Sequence, residues 1–370
     1  MSSEIKKGLV GVISDETKVS EVMPDINSLT YRGYTVQDLC AKCDFEEVAY
    51  LLLHDDLPNK DQLEEFKKEE RLNRPLSESL KSIIKNYPKN SHPMDTTRTS
   101  VSHMGLEDPD TADNSKDANM SKAMRLLAKI STAVAADFRV RKGEKIIDPD
   151  PKLNFCENFF NMCFGKVPSK EVIKAFDVSM TLYAEHSFNA STFTSRVITS
   201  SLSDMHGAVT GAIASLKGPL HGGANEAVAH MLNQVGSPDK AEQFILNKIK
   251  NKELIMGFGH RVYRNGDSRV PTMTEYYHKT AEFYQNKKLP EISKILEETM
   301  LREKKIKPNL DFPAGPTYYL MGFDIDFFTP IFIVSRITGW AAHVMEQFDT
   351  NKLIRPLSKY IGAPHRKIEK

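Results

Sequence analysis

Thr329-Pro-Ile-Phe-Ile-Val-Ser-Arg336-Ile-Thr-Gly-Trp340-Ala-Ala-His343-Val-Met345 decides the fold class. Wound at a helical period, this stretch is apolar on almost every face, so the helix belongs in the centre of a large protein. Thr329 reads as its cap and Pro330 as its first helical residue. The apolar run from Ile331 is too short to cross a bilayer and carries Arg336 and His343, so it is not a membrane span. A guanidinium inside such a helix must face either a buried carboxylate or a ligand anion. Trp340 and His343 read as packing residues.

Helical periodicity continues outward from this stretch. Val172, Phe176, Met180 and Tyr183 recur at three- and four-residue steps between Glu171 and Glu185, behind Ser169 in an N-cap position. Ile292, Ile295, Leu296, Thr299 and Met300 repeat the pattern after Pro290. Period-two alternation is scarce, and short strands are expected only around Leu9–Val12 and Lys18–Val22. The chain is therefore expected to be all-α. His103 to Ser121 reads as an exposed, turn-rich connection and Asp148-Pro-Asp-Pro151 as another break. Glu64-Glu-Phe-Lys-Lys-Glu-Glu70 reads as a solvated helix face.

The 370 residues include 50 Lys+Arg and 49 Asp+Glu, a net charge of +1. That balance argues against a nucleic-acid or anionic-membrane binder, which carries a basic surplus. The length predicts about two domains. Four cysteines, Cys40, Cys43, Cys156 and Cys163, lack the second close pair of a zinc site and read as reduced thiols. Met1-Ser-Ser-Glu-Ile-Lys-Lys7 has neither an apolar signal core nor an Arg-rich, acid-poor leader, so a cytoplasmic protein is expected. His206, His221 and His230 match no short zinc spacing, and no metal site is expected.

Three segments of the second half carry unusual chemistry. In Lys217-Gly-Pro-Leu-His221-Gly-Gly-Ala-Asn-Glu226 the histidine precedes a helical pattern. At a helix N-terminus, unpaired N–H groups and the dipole disfavour imidazolium, leaving a neutral ring that donates to an enolising carbonyl. A tight turn with a surface histidine is the plainer reading of this segment alone. Gly257-Phe-Gly-His260-Arg261-Val-Tyr-Arg264-Asn-Gly-Asp-Ser-Arg269 sets a donor beside several cations, which suits a small polycarboxylate as well as a solvated basic loop. In Lys307-Pro-Asn-Leu-Asp311-Phe-Pro, the aspartate stands among apolar neighbours. Partial burial would raise its pKa toward that of a general base, unless it only makes an Asx turn.

Together these segments resemble the citrate synthase family, including the 2-methylcitrate synthases. Further motifs run in the family's order along nearly the whole chain: Tyr31-Arg-Gly-Tyr34, Phe45-Glu-Glu-Val-Ala-Tyr-Leu-Leu52, Ser91-His-Pro-Met-Asp95, Tyr183-Ala-Glu-His-Ser-Phe-Asn-Ala-Ser-Thr-Phe193 and Ile354-Arg-Pro356. The resemblance implies a mostly helical homodimer, with a large domain of residues 1–221 and 319–370 and a small closing domain of residues 222–318. It implies condensation of an acyl-CoA with oxaloacetate followed by thioester hydrolysis, without a metal or other cofactor. Citrate formation from acetyl-CoA is the expected reaction, and 2-methylcitrate formation from propionyl-CoA the alternative.

Carried over by position, Asp311 matches the base, His221 the donor to the thioester oxygen, and His260 the donor to the oxaloacetate carbonyl. His186, Arg269 and Arg336 match oxaloacetate ligands, and Arg355 matches an arginine reaching the neighbouring subunit's site. Arg71 is carried over to the substrate or CoA region. The backbone of Ile255, Met256, Gly257, Phe258 and Gly259 matches the adenine-holding stretch, with Lys304 and Asn309 as further CoA contacts. The chain lacks the extra N-terminal domain of the larger members that NADH inhibits, so control of that kind is not expected.

Overall fold

The computed structural model describes residues 5–260, 262–263 and 265–368. Among them are sixteen α-helices and one small sheet, the all-α architecture expected. Phe328–Asp349 is the central helix, and Val334, Arg336, Trp340 and His343 on its different faces are all buried. It packs against Phe45–His54, Lys116–Arg141, Lys170–Tyr183, Ala190–Ser200 and Met205–Leu216. Full burial of a large apolar side chain is worth about 1.5–3 kcal/mol, so a helix apolar all round gains most when surrounded. Gly339 permits the closest approach, because a Cβ there would overlap the Glu185 carboxylate and the Ala184 carbonyl. Phe138, Phe160, Phe164, Phe176 and Phe323 fill the same core with stacked, tilted and edge-on ring contacts. No helix among the described residues is long and apolar enough to cross a membrane.

A second hydrophobic core gathers Val228, Leu232, Ile245, Tyr277, Ile292, Leu296 and Phe312. They come from Ala224–Val235, Pro238–Lys250, Val270–Phe283, Lys288–Lys304 and the front of Asp311–Leu320. The last of these helices also sends Ala314 and Tyr318 into the main core. It therefore spans both.

Several local expectations are corrected. Leu9–Val12 is not a strand, since Lys7–Leu9 is a 3-10 turn. The second expected strand forms at Ser20–Met23 and pairs antiparallel with Ser28–Tyr31, Ser20 opposite Tyr31. Tyr34–Thr35 completes the sheet through a two-residue turn at Arg32-Gly33, both at positive φ. The central helix starts at Phe328, with Pro330 inside its first turn. Thr329 does not cap it, because its hydroxyl is drawn to Glu226 and Asn225. Ser169 holds the N-cap position without a capping hydrogen bond. The 103–121 connection is shorter than expected, since Pro93–Glu107 and Lys116–Arg141 enter it from both sides. Within the Glu64–Glu70 run, Phe66 is buried and Glu70 forms a sealed ion pair with Arg74 at 2.6 Å. All four cysteines are unpaired thiols.

Candidate active site

A cavity of about 1560 Å³ opens between the two cores. Tyr183, His186, Phe332 and Arg336 line it from the main core, and Ile255–His260, Asn309 and Asp311 from the other side. His221 lies on its rim of turns just before Ala224–Val235.

Asp311 begins the helix Asp311–Leu320 and accepts a hydrogen bond from the Tyr183 hydroxyl on Oδ1 at 2.6 Å. Burial pushes its carboxyl up to about 6, against the downward pull of the Tyr183 hydrogen bond, Arg269 and Arg336. A carboxylate with that affinity removes a proton from a weak carbon acid better than an ordinary aspartate does.

His221 is not held by the helix it precedes. The backbone N–H of Ser191, in the first turn of Ala190–Ser200, donates to its Nε2 at 3.2 Å, and the Ser191 hydroxyl lies 2.8 Å from the same atom. An N–H can only donate, so Nε2 is the acceptor and the ring proton sits on Nδ1. Burial and the nearby Arg336 pull this histidine down to about 3, keeping it neutral. Trp340, read as a packing residue, donates its indole N–H to the Ser191 hydroxyl at 3.2 Å.

His260 follows the same logic. The N–H groups of Val262 and Tyr263 donate to its Nδ1 at 3.0 and 3.2 Å, which leaves the proton on Nε2. Burial and Arg269 pull it down to about 4. His186 lies 5.1 Å from it ring to ring, its buried Nε2 lacking any partner among the described residues. Burial, Arg269 and His260 hold His186 well below its ordinary value.

Arg336 donates from Nε to the Tyr183 carbonyl at 2.6 Å and stacks 4.6 Å from the Phe332 ring. No carboxylate among the described residues forms an ion pair with it, so of the two partners its helix implied, the ligand anion is the open one. Burial lowers it to about 10, opposed by the field of Glu185, and it stays a cation at neutral pH. Arg269 instead forms a buried fork with Asp267 at 2.7 and 2.9 Å. Against burial, that guanidinium holds the Asp267 carboxyl well below the carboxylate range. Among the described residues, Arg336 is thus a buried cation of the cavity without an ion-paired carboxylate, and Arg269 a paired one.

Ile255, Met256, Gly257, Phe258 and Gly259 all line the cavity. Gly257 and Gly259 sit at φ +83° and +80°, and a Cβ on Gly257 would meet Val228 and Phe312. Main-chain bonds from Gly259 to Lys307 and from Asn309 to Gly257, each 2.9 Å, pin this stretch to the residues before Asp311. Asn309 lines the cavity, and its amide donates to the Gly259 carbonyl and accepts from the Asp311 N–H, which braces the site. Lys304 is exposed and does not line the cavity. Nor does Arg71, which lies 4.0 Å from Glu46 on another face. Arg355 is exposed and away from this cavity. Arg261 and Arg264 lie outside the described residues.

Tyr183, Ser191 and Asp267 received no role from the sequence. Each lies inside a quoted segment, and the acid two residues before Arg269 was the one visible hint of a paired arginine.

A cavity of this kind suits an enzyme that enolises a weak carbon acid and adds it to an anionic carbonyl compound, with the oxyanions held by fixed neutral donors. The chain belongs to the citrate synthase family: the family model described as citrate synthase, C-terminal domain, matches residues 8–357. It is 52% identical to the citrate synthase of Mycolicibacterium smegmatis over 364 residues, covering 98% of this chain and 97% of that one. It is 53% identical to the 2-methylcitrate synthase of Mycobacterium tuberculosis over 363 residues, covering 98% and 92%. The fold matches the Thermoplasma acidophilum citrate synthase, solved as a ternary complex with carboxymethyl coenzyme A and oxaloacetate, at TM-score 0.94 and 31% identity, covering 99% of this chain and 98% of that one. The protein is therefore an enzyme of the acyltransferase class.

Proposed function

We propose that this cavity condenses acetyl-CoA with oxaloacetate and water to give citrate and CoA. The observation that carries this reading is a carboxyl with a pKa of about 6 sharing one cavity with two neutral imidazoles of fixed tautomer. Asp311 takes the α-proton of the acyl thioester, and the electron pair moves onto the thioester oxygen, where the Nδ1–H of His221 holds it. The enolate carbon attacks the ketone of oxaloacetate as the thioester carbonyl re-forms, and the new alkoxide takes the Nε2 proton of His260 to become the alcohol. Water then cleaves the citryl thioester and CoA leaves. His260 regains its proton from the attacking water, while Asp311 returns its own to the departing CoA sulfur. A preorganised donor of this kind is worth about 10²–10³ in rate. The steps draw on side chains alone, and the reading includes no metal.

Arg336, His186 and the outer edge of Arg269 take the two carboxylates of oxaloacetate. The 255–259 backbone takes the CoA adenine, Ile255 and Met256 having main-chain groups without partners among the described residues. Arg71 and Lys304 are left out of this reading because neither lines the cavity. We assign residues 222–318 to a smaller domain that closes over the substrates, supported by the second core. Water would be excluded until the carbon–carbon bond has formed. The working unit is a homodimer in which Arg355 enters the neighbouring site, supported by the exposed apolar residues Leu357, Tyr360 and Ile361 beside it. A reducing cytoplasm suits the four free thiols.

Near-equal identity to relatives named for either product keeps 2-methylcitrate formation as the second reading. One methyl group in the acyl pocket is worth only about 1–3 kcal/mol. Release of CoA, followed with a thiol reagent, tests both. A clearly higher kcat/KM with acetyl-CoA supports citrate synthesis, comparable or higher activity with propionyl-CoA moves the assignment to 2-methylcitrate, and no release with either sinks the reading.

A further inference from the structure

We propose that Tyr183 is a positioning residue for the base: its phenol fixes one oxygen of Asp311 so that the other takes the proton, while its main-chain carbonyl fixes Arg336. This rests on Asp311 being the base. Tyr183 ends the helix Lys170–Tyr183, is 1% exposed, and packs its ring 4.2 Å from that of Phe332. Its hydroxyl donates to Asp311 Oδ1 at 2.6 Å, and its carbonyl accepts from Arg336 Nε at 2.6 Å. One residue thus ties the proton-abstracting group to the Arg336 guanidinium by two short bonds.

Other groups face Asp311 from every side. They are Asp267 and Arg269 from the loop before Val270–Phe283, Arg336 from the central helix, Tyr318 from its own helix, and His186, His221 and His260 around the cavity. Among the described residues, Tyr183 alone hydrogen-bonds its carboxylate oxygens. Burial and the adjacent Asp311 push the phenol well above its ordinary value, so it remains a donor throughout the working range. A hydrogen bond to a carboxylate favours the charged form. Tyr183 therefore opposes the upward push of burial on the base and orients it.

Tyr183→Phe keeps the ring and the main-chain carbonyl. The acid limb of kcat/KM against pH is expected to move up by about one to two units, from the strength of a hydrogen bond to a charged group. At pH 7, kcat should fall about tenfold, with oxaloacetate affinity unchanged. Site-specific replacement of Tyr183 by 3,5-difluorotyrosine keeps the side-chain outline and strengthens the donor, so its acid limb should move down. That variant decides the matter if the phenylalanine protein does not fold. A merely structural role lowers kcat without moving either limb, and that result overturns the proposal. A wild-type enzyme without any acid limb near pH 6 would instead overturn the reading of Asp311 as the base, and the proposal with it.

Discussion

The cavity wall built from Tyr183 to Ser191 joins the end of one helix to the start of the next, with Tyr183, Ala184, Glu185, His186 and Ser191 buried, whereas the described residues of the wall from Ile255 to Arg269 lie outside helices and include Gly257, Gly259 and Gly266 at positive φ. Their histidines differ accordingly. His260 is held by N–H groups of its own loop, two and three residues on. His221 is held by Ser191, thirty residues back. The donor to the ketone is thus complete within one segment, while the donor to the enol is assembled from two segments distant in sequence. The anion site is divided too, with Arg336 in the main core bonded to a main-chain carbonyl and Arg269 matched by Asp267 in the loop.

The largest test of this contrast removes what both walls serve. Asp311→Asn should cost about 10³-fold or more in kcat while oxaloacetate still binds, as calorimetry would report. Retained turnover would mean that neither wall is arranged around this carboxylate. Arg336→Met comes next. Loss of this buried cation should raise the KM for oxaloacetate about 10²-fold, the scale of a hydrogen-bonded charge pair. The free enzyme should melt no lower, because a buried charge without a carboxylate partner contributes little to stability. A large fall in Tm would show that Arg336 is structural.

The pH profile sharpens the comparison of the histidines. Asp311 has a raised pKa, so its basic form is present above about 6 and lost as pH falls through that value. The kcat/KM should drop about tenfold per unit below it. His221 at about 3 and His260 at about 4 are already neutral there, so neither should add a limb between pH 6 and 9. The smallest effect is expected for Ser191→Ala, which removes a hydroxyl from His221 but leaves the backbone donor. A loss of about 2–10-fold in kcat is expected, and a loss near that of Asp311→Asn would give the tautomer to the hydroxyl instead.

Much of the fold was legible because an all-apolar helix has one sensible location. Its ends were not, since Thr329 forms bonds with Glu226 and Asn225, about a hundred residues away. Glu70 looked solvated because the charge that seals it, Arg74, lies beyond the quoted run. At the site, His221, His260, Asp311 and Arg336 stood out as polar residues in glycine-rich or apolar surroundings. Tyr183 and Ser191 are ordinary residues in helical contexts, and what matters about them is a contact made over 128 and 30 residues of chain. Composition carries no trace of such contacts.

Holding both imidazoles by main-chain N–H groups has a consequence for how freely the sequence can drift. At Ser191, Val262 and Tyr263 the donor persists whatever side chain is substituted, and proline alone abolishes it. Val262 is exposed, at 44%, on the edge of the cavity it helps to line. A saturation library at that codon should tolerate most residues and reject proline, so that the proton inventory of the site is inherited through backbone shape and is largely insensitive to mutation.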